Sequence, residues 1–145
     1  MTRFAWLLLG FVIVAATIPK QAPNCNDCYA TTAYEIIKHH YPKINVTVNG
    51  LMQETHQGCV GGNPEKILQK YFSSTKIKRG GLFKLIKIIK KYGPVIIDFS
   101  DKHLVTAWKA TVNGVLVHDT RDATKKIITH VNHALNFRYI LIPQK

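Results

Sequence analysis

One cysteine in this sequence stands where chemistry favours a reactive thiol. Cys28 follows the polar turn 24–27, and the apolar residues after it recur at helical spacing, which predicts a helix from Cys28 to about His40. Asn26 or Asp27 can cap that helix. Unpaired N–H groups and the helix dipole stabilise an anion there, so we expect the pKa of the Cys28 thiol to be lowered. A thiolate attacks carbonyl carbons, which makes Cys28 a candidate nucleophile.

A nucleophilic thiol needs a base, and His103 is the histidine best placed to supply one. It begins the apolar strand 104–108 directly after a polar turn, at the rim of a predicted sheet. Asp119 ends the next predicted strand, where its carboxylate can accept the second imidazole N–H and hold the ring in one tautomer. Cys28, His103 and Asp119 therefore form a candidate catalytic triad.

The predicted hairpin between these two strands works against that pairing. Asn113-Gly114 is a strong signal for a two-residue turn, which fixes how the strands align. In the resulting register His103 shares a face of the sheet with His118 rather than with Asp119. The triad therefore requires a longer loop, or a β-bulge that shifts the register.

Three cysteines leave several arrangements open. An odd number in a secreted chain suggests one disulfide and one free, reactive thiol. Cys25 and Cys28 form a C-x-x-C pair, which would be a redox dithiol in a thioredoxin-like context, but no strand precedes it. The same pair with Cys59 and His56 would make a zinc site. Another arrangement pairs Cys25 with Cys59 and leaves Cys28 free, and in the last all three cysteines are inert.

The chain has 145 residues, which fits one domain preceded by a targeting segment. Residues 1–16 resemble a secretory signal peptide, with a positive charge at Arg3 and an apolar run over 4–16. That run is shorter than the roughly 20 residues that cross a bilayer comfortably. We expect a cleaved signal peptide, or an uncleaved anchor, and a secreted or extracytoplasmic domain over 17–145. Asn45 begins an N-glycosylation sequon, usable only in a eukaryotic host.

The chain is strongly basic, with a net charge of +12 from 20 Lys and Arg against 8 Asp and Glu. The lysines are spread along the sequence and no nucleic-acid motif is present, so we expect no nucleic-acid partner. The segment 81–92 predicts a basic amphipathic helix with lysines on one face. That helix either covers the sheet with its lysines in solvent, or makes weak contact with anionic membranes.

The pattern of the whole chain predicts an α+β domain, with a leading helix packed on a small antiparallel sheet. The periodicity and turn signals predict helices over 28–40, 51–56, 63–72 and 81–92. They predict strands over 75–79, 94–99, 103–111, 115–120, 126–130 and 137–143.

Several segments together resemble the papain-like cysteine peptidase superfamily. Residues 25–30, in which a cysteine stands three positions before a second one that precedes an aromatic residue, resemble the nucleophile segment of papain and the cathepsins. The turn 58–62 resembles the glycine-rich turn that carries the disulfide partner, and 93–95 followed by His103 resembles the strands leading to the catalytic histidine. The second half is most similar to C39-like peptidases, where the nucleophile follows an aspartate and a later strand ends with a catalytic aspartate, as at Asp119.

The resemblance implies a compact papain-like fold that needs no metal or cofactor. It gives three residues the roles of nucleophile, base and orienting carboxylate, in that order: Cys28, His103 and Asp119. It implies a disulfide between Cys25 and Cys59. It also makes Gln21 the oxyanion-hole glutamine, although Gln21 stands one residue upstream of the usual position, which Ala22 occupies. Tyr29 replaces the glycine that follows the nucleophile in the C39-like pattern.

The function that these features predict is a secreted thiol peptidase that cleaves peptide bonds through a Cys28 thioester. We expect peptide or protein substrates and a monomeric chain. Three alternatives remain: an inactive protein with this fold, a cationic membrane-binding protein, and a cysteine acyltransferase that passes the acyl group to an amine.

Overall fold

The computed structural model describes residues 18–100, 103–128 and 137–145, so the predicted signal peptide over 1–16 lies outside the described residues. The helices of the described part are α1 Cys28–His40, α2 Val48–Glu54, α3 Pro64–Leu68 and α4 Leu82–Tyr92. Its strands are β1 Ser74–Gly80, β2 Val95–Ser100, β3 His103–Thr111, β4 Gly114–Asp119, β5 Thr124–Ile128 and β6 Phe137–Gln144.

The described strands form one antiparallel sheet in the order β1-β6-β2-β3-β4-β5. Successive side chains of a strand point to opposite faces, so the strands contribute to two cores. On one face Ile96, Leu104 and Leu141 pack with α1, α2 and α3. On the other, Ile97 and Val105 belong to the core that contains the buried residues of α4. The predicted α+β class, with a leading helix on an antiparallel sheet, is confirmed.

The first helix, α1, has the predicted bounds. Its most deeply buried apolar side chains recur at helical spacing: Tyr29, Ala33, Ile36 and Ile37. Asp27 occupies the N-cap position, but its side chain makes no capping hydrogen bond, so the expected side-chain cap is wrong. One carboxylate oxygen of Asp27 instead lies 3.4 Å from the backbone nitrogen of Ala22.

The basic helix α4 covers the second face of the sheet. Its buried side chains are Leu82, Leu85, Ile88 and Ile89. Its lysines are all exposed on the opposite side: Lys84, Lys87, Lys90 and Lys91. Within the ranges that the structure describes, no helix is long and apolar enough to cross a membrane. The apolar stripe of this helix is therefore used for packing within the domain.

The turn between β3 and β4 lies one residue earlier than predicted. Thr111 pairs with Gly114, so Val112 and Asn113 are the two central residues instead of Asn113 and Gly114. The Thr111 hydroxyl favours this turn because it accepts a hydrogen bond from the Asn113 N–H and donates one to the Gly114 carbonyl. Gly114 adopts a φ of +148° at the start of β4, a conformation that favours glycine.

A β-bulge in β3 then shifts the register once more. Ala107 pairs with Val117 and Lys109 pairs with Leu116, which leaves Trp108 as an extra residue. After the bulge, Thr106 pairs with His118. The next position along each strand therefore sets Asp119 opposite Val105. His103 is two residues from Val105 in β3, so the side chains of His103 and Asp119 lie on the same face of the sheet. The bulge that the triad required is present.

Two helices differ from their predicted bounds. The helix predicted over 51–56 begins at Val48, because the Thr47 hydroxyl accepts a hydrogen bond from the Gly50 N–H and caps it there. The helix predicted over 63–72 ends at Leu68 and continues as hydrogen-bonded turns. Asn63 caps it as its sequence pattern indicates, accepting from the Glu65 N–H.

Candidate active site

A cleft of about 530 Å³ brings the candidate nucleophile and base together. Cys28, at the first position of α1, and His103, at the first position of β3, both line it. The other lining residues come from the nucleophile segment, a glycine turn and three strands: Asn26, Tyr29, Val60, Gly61, Gly62, Asp98, Leu104 and Tyr139. The beginning of a helix and the beginning of a strand therefore border one open groove.

The Cys28 thiol is almost buried, with 8% of the residue exposed. Burial raises the pKa of this thiol, and the nearby Asp27 carboxylate raises it further. Backbone N–H groups of Leu104 and Tyr29 act in the opposite direction without outweighing burial. The lowered pKa expected from the helix terminus is therefore wrong, because desolvation of the thiolate exceeds the stabilisation that the helix N–H groups provide.

The candidate base and its orienting carboxylate are in close polar contact. Nε2 of His103 lies 3.0 Å from Oδ1 of Asp119, and both side chains are about nine-tenths buried. This distance is within the hydrogen-bond range, and the contact with His103 is among the causes that lower the pKa of Asp119. Because Nε2 contacts Asp119, the other ring nitrogen, Nδ1, is the one available to accept the proton of the Cys28 thiol.

Asp119 is held as an ionised carboxylate by its surroundings. Burial alone would raise its pKa, but the Arg121 N–H, the Lys126 ammonium and His103 outweigh burial and lower it. The Arg121 nitrogen is 3.0 Å from Oδ1, and the Lys126 Nζ is 3.1 Å from Oδ2. The carboxylate can therefore stabilise an imidazolium on His103 without taking up the proton itself.

Gln21 does not present its amide to the cleft. Its side-chain N–H donates to the Cys25 carbonyl at 2.6 Å, and its backbone N–H donates to the Thr120 carbonyl at 2.7 Å. It lines a separate cavity with Asn24 and Arg121. Gln21 stands four residues before Cys25, so its amide bonds locally to that carbonyl, and Gln21 does not line the cleft.

A disulfide fixes the nucleophile segment to the glycine turn. Cys25 and Cys59 are bonded, with an S–S distance of 2.05 Å, and Cys28 is free. The Tyr29 hydroxyl donates to the Gly58 carbonyl at 2.9 Å, which adds a second link. A Cβ at Gly62 would come within 2.7 Å of the Tyr29 ring, so only glycine fits there. This pairing rules out a Cys25–Cys28 dithiol in this structure.

No group of three or more His, Cys, Asp or Glu side chains within the described ranges is arranged to hold a metal ion. His56, a ligand only in the alternative zinc arrangement of the cysteines, lies in a loop with a φ of +55°. Asn45, the predicted glycosylation position, is exposed to solvent.

Two cleft residues were missed from the sequence. Asp98 is buried and pairs with Leu104, the neighbour of His103, so a carboxylate lies in the cleft wall. An acidic residue within the apolar run 94–99 was the available signal for it. Asn26 also lines the cleft, and its position two residues before Cys28 was the only hint.

The fold is similar to that of solved peptidase domains of the papain-like C39 type. One similar solved structure is the peptidase domain of Streptococcus ComA, a bifunctional ABC transporter involved in a quorum-sensing pathway. It has a TM-score of 0.64 and 15% identity over 88% of this chain and 98% of that chain.

Another similar structure is a double-glycine motif protease from an AMS/PCAT transporter, in complex with a leader peptide. It has a TM-score of 0.65 and 19% identity over 87% of this chain and 91% of that chain. No family model matches this sequence, and no curated protein matches it in a sequence search.

Proposed function

We propose that this chain is a cysteine peptidase with Cys28 as nucleophile, His103 as base and Asp119 as the carboxylate that orients the base. The observation that carries the proposal is the placement of these residues. Cys28 and His103 line one cleft, and Asp119 contacts the imidazole at 3.0 Å. The fold shared with C39 peptidase domains supports the same class of reaction.

The raised pKa of the Cys28 thiol suggests how the reaction begins. The thiol is protonated in the resting enzyme, so His103 accepts its proton as sulfur attacks the peptide carbonyl. Asp119 stabilises the imidazolium that forms. The C–N bond then breaks, and His103 returns the proton to the leaving amine. Water, activated by the same imidazole, hydrolyses the thioester and regenerates the thiol.

The oxyanion that forms during attack needs hydrogen-bond donors that Gln21 does not supply in this arrangement. The backbone N–H of Cys28 lies in the first turn of α1, where N–H groups have no partner within a helix. Asn26 lines the same cleft and carries an amide donor. We assign these two groups to the oxyanion, in place of the glutamine that the family resemblance implies.

Peptides are the proposed substrates, because one of the similar structures is a protease in complex with a leader peptide. A first substrate panel therefore compares peptides that carry Gly-Gly directly before the scissile bond with matched peptides that carry Ala-Ala. An added amine acceptor distinguishes hydrolysis from acyl transfer, because transfer yields a new amide while hydrolysis yields a free carboxylate.

The decisive experiment is labelling of the domain with an epoxysuccinate, a thiol-directed peptidase inhibitor, followed by mass spectrometry of the adduct. We expect a single adduct at Cys28 that His103→Ala slows strongly. His56→Asn is the matched control, because His56 is exposed and does not line the cleft, and it should label at the wild-type rate. A wild-type Cys28 that remains unlabelled, with the Cys25–Cys59 disulfide intact, would exclude the peptidase.

The membrane-binding alternative has less support, because the apolar side of α4 is packed against the sheet. Its exposed lysines leave room only for weak attraction to an anionic surface. Leakage of anionic vesicles caused equally by the wild type and by Cys28→Ala would favour that alternative.

Secretion also belongs to the proposal, and it rests on the signal-peptide pattern of 1–16. A disulfide in the domain agrees with an oxidising compartment. Sequencing of the N-terminus of the protein isolated from its host tests it. A mature chain that begins near residue 17 is expected, and a chain retaining residues 1–16 in the cytoplasm would contradict it.

A further inference from the structure

Both sequence neighbours of Asp119 are tied to the helix that carries Cys28. On one side, His118 Nδ1 lies 2.6 Å from the Glu35 carboxylate of α1. On the other side, the Thr31 hydroxyl of α1 donates to the Thr120 hydroxyl at 2.7 Å. All four of these side chains are at least nine-tenths buried. The strand that ends in Asp119 is therefore fastened to α1 by two polar links that bracket the carboxylate.

The third catalytic element joins the same cluster. The Thr106 hydroxyl of β3 donates to the second oxygen of the Glu35 carboxylate at 3.2 Å, and Thr106 has no solvent exposure. Thr106 also pairs with His118 across the hairpin. Glu35 thus connects the helix of Cys28, the strand of His103 and the strand of Asp119.

The His118 ring is fixed from a further direction. It stacks on the Trp108 indole, with ring centroids 4.7 Å apart and planes 16° from parallel. Trp108 is the bulge residue that sets the hairpin register. The same ring lies 2.6 Å, through Nδ1, from the Glu35 carboxylate, so stacking and a polar contact act on it together. Glu35 and His118 also line a second cavity, whose other charged or titratable residues are Tyr34, Lys38, His39, Lys109 and Lys125.

We infer that these buried links position the catalytic groups, and that the Glu35–His118 and Thr31–Thr120 pairs set the placement of Asp119 relative to Cys28. This inference rests on the proposed peptidase function. Successive side chains of a strand point to opposite faces, so holding His118 against α1 directs Asp119 to the other side. Hydrogen bonds are directional, and a link on each side of Asp119 leaves the carboxylate little freedom to shift or rotate.

The placement matters because hydrogen bonds weaken steeply with distance and angle, and the His103–Asp119 contact is 3.0 Å long. A displaced carboxylate would therefore hold the His103 imidazole less well. Thr31, Glu35 and His118 do not line the cleft, so they are positioning residues that act through Asp119. The Thr31 hydroxyl also lies 3.2 Å from the Cys28 carbonyl, so Thr31 additionally holds the backbone of the nucleophile.

The test compares Thr31→Val, which removes one hydroxyl at nearly constant volume, with Thr31→Ser, which restores it, and with Glu35→Gln. Glu54→Gln is the matched control, because Glu54 also accepts a hydroxyl hydrogen bond, from Tyr71, but on the surface. Each variant is first checked for a folded amide NMR spectrum. We expect Thr31→Val and Glu35→Gln each to lower kcat about tenfold with KM changed less than twofold, and Thr31→Ser to recover most of kcat.

A second measurement does not depend on activity. The resonance of the His103 Nε2 proton, which faces Asp119, should shift or broaden in Thr31→Val and Glu35→Gln and match the wild type in Thr31→Ser and Glu54→Gln. An unchanged resonance in folded Thr31→Val and Glu35→Gln would overturn the positioning role. If Cys28 of the wild type does not react with the epoxysuccinate, the proposed peptidase function is wrong. The His103 resonance would still show whether the buried links position the imidazole.

Discussion

Nε2 of His103 lies 3.0 Å from Oδ1 of Asp119, although the two residues are not cross-strand partners. They meet diagonally because Trp108 is an extra residue in β3 and because the turn lies at Val112 and Asn113. Without the bulge, the side-chain alternation of β3 would reverse and His103 would face away from Asp119. The geometry of the base therefore depends on one inserted residue five positions along its strand.

Asp119→Asn should reduce kcat/KM for a peptide substrate by about tenfold to a hundredfold. The amide keeps the size of the side chain but removes the charge that stabilises an imidazolium on His103. Steady-state peptide hydrolysis measures the change, and KM should move little because Asp119 lies outside the cleft lining.

Asp122→Asn is the control for that variant. Asp122 also lies near Lys126, at 3.4 Å, but its side chain is half exposed and has no contact with His103. It should retain at least half of the wild-type activity. Equal losses in the two variants would mean that charge near Lys126, rather than the contact with His103, is responsible.

The lowered pKa of Asp119 also predicts how stability depends on pH. The folded protein binds this proton less readily than the unfolded chain, so Asp119 stabilises the fold above the ordinary pKa of an aspartate. That contribution is lost as pH falls through the lowered folded-state pKa. Urea unfolding between about pH 2 and pH 6 should show a decline in the free energy of unfolding that is shallower in Asp119→Asn. Parallel curves for the two proteins would contradict the assignment.

Much of this domain follows from local patterns in the sequence. The bounds of α1 and β3 agree with prediction because apolar spacing and flanking turn residues decide them locally. Cys28 and His103 were found in the same way, since each begins a regular element after a polar turn.

What the sequence did not reveal depends on contacts between distant residues. The bulge at Trp108 has no local signal, because an indole fits an ordinary strand position equally well. The raised pKa of Cys28 comes from burial beneath other elements, which a helix-terminus argument does not include. The Glu35–His118 pair joins residues 83 positions apart, and neither residue stands out in its own segment.

Asp27→Asn should make the Cys28 thiol more reactive and the protein more stable at neutral pH. The Asp27 charge is among the causes that raise the pKa of the thiol, and burial raises the pKa of Asp27 itself. Removing the charge should speed alkylation of Cys28 by iodoacetamide at pH 7 by about threefold. Because the pKa of Asp27 is raised, its ionisation disfavours the folded state as pH rises, so the variant's gain in melting temperature should be larger at pH 7 than at pH 4. Slower alkylation in the variant would refute this account.

Gly62→Ala should destabilise the fold by about 1–3 kcal/mol. A Cβ at this position would lie 2.7 Å from two carbons of the Tyr29 ring and 2.6 Å from Oε1 of Gln57. Gly58→Ala is the control in the same turn, because nothing lies within 4 Å of its Cβ. Urea unfolding of both variants measures the difference, and a Gly62→Ala protein as stable as Gly58→Ala would show that the turn can move away from Tyr29.

The oxyanion assignment separates Asn26 from Gln21. The Gln21 amide donates to the Cys25 carbonyl, whereas Asn26 lines the cleft beside the thiol. Asn26→Ala should therefore lower kcat by about a hundredfold with little change in KM, because an oxyanion donor acts mainly in the transition state. Gln21→Ala should lower the melting temperature, because it loses the hydrogen bond to the Cys25 carbonyl. Its kcat should change little.

Two controls make that comparison decisive. Asn26→Asp keeps the size of the side chain but replaces the amide donor with an acceptor, so it should be at least as impaired in kcat as Asn26→Ala. Epoxysuccinate labelling of Cys28 in each variant reports whether the nucleophile itself is intact. A Gln21→Ala enzyme with a hundredfold lower kcat, beside an unaffected Asn26→Ala enzyme, would return the oxyanion role to Gln21. It would also mean that the Gln21 side chain swings into the cleft when substrate binds.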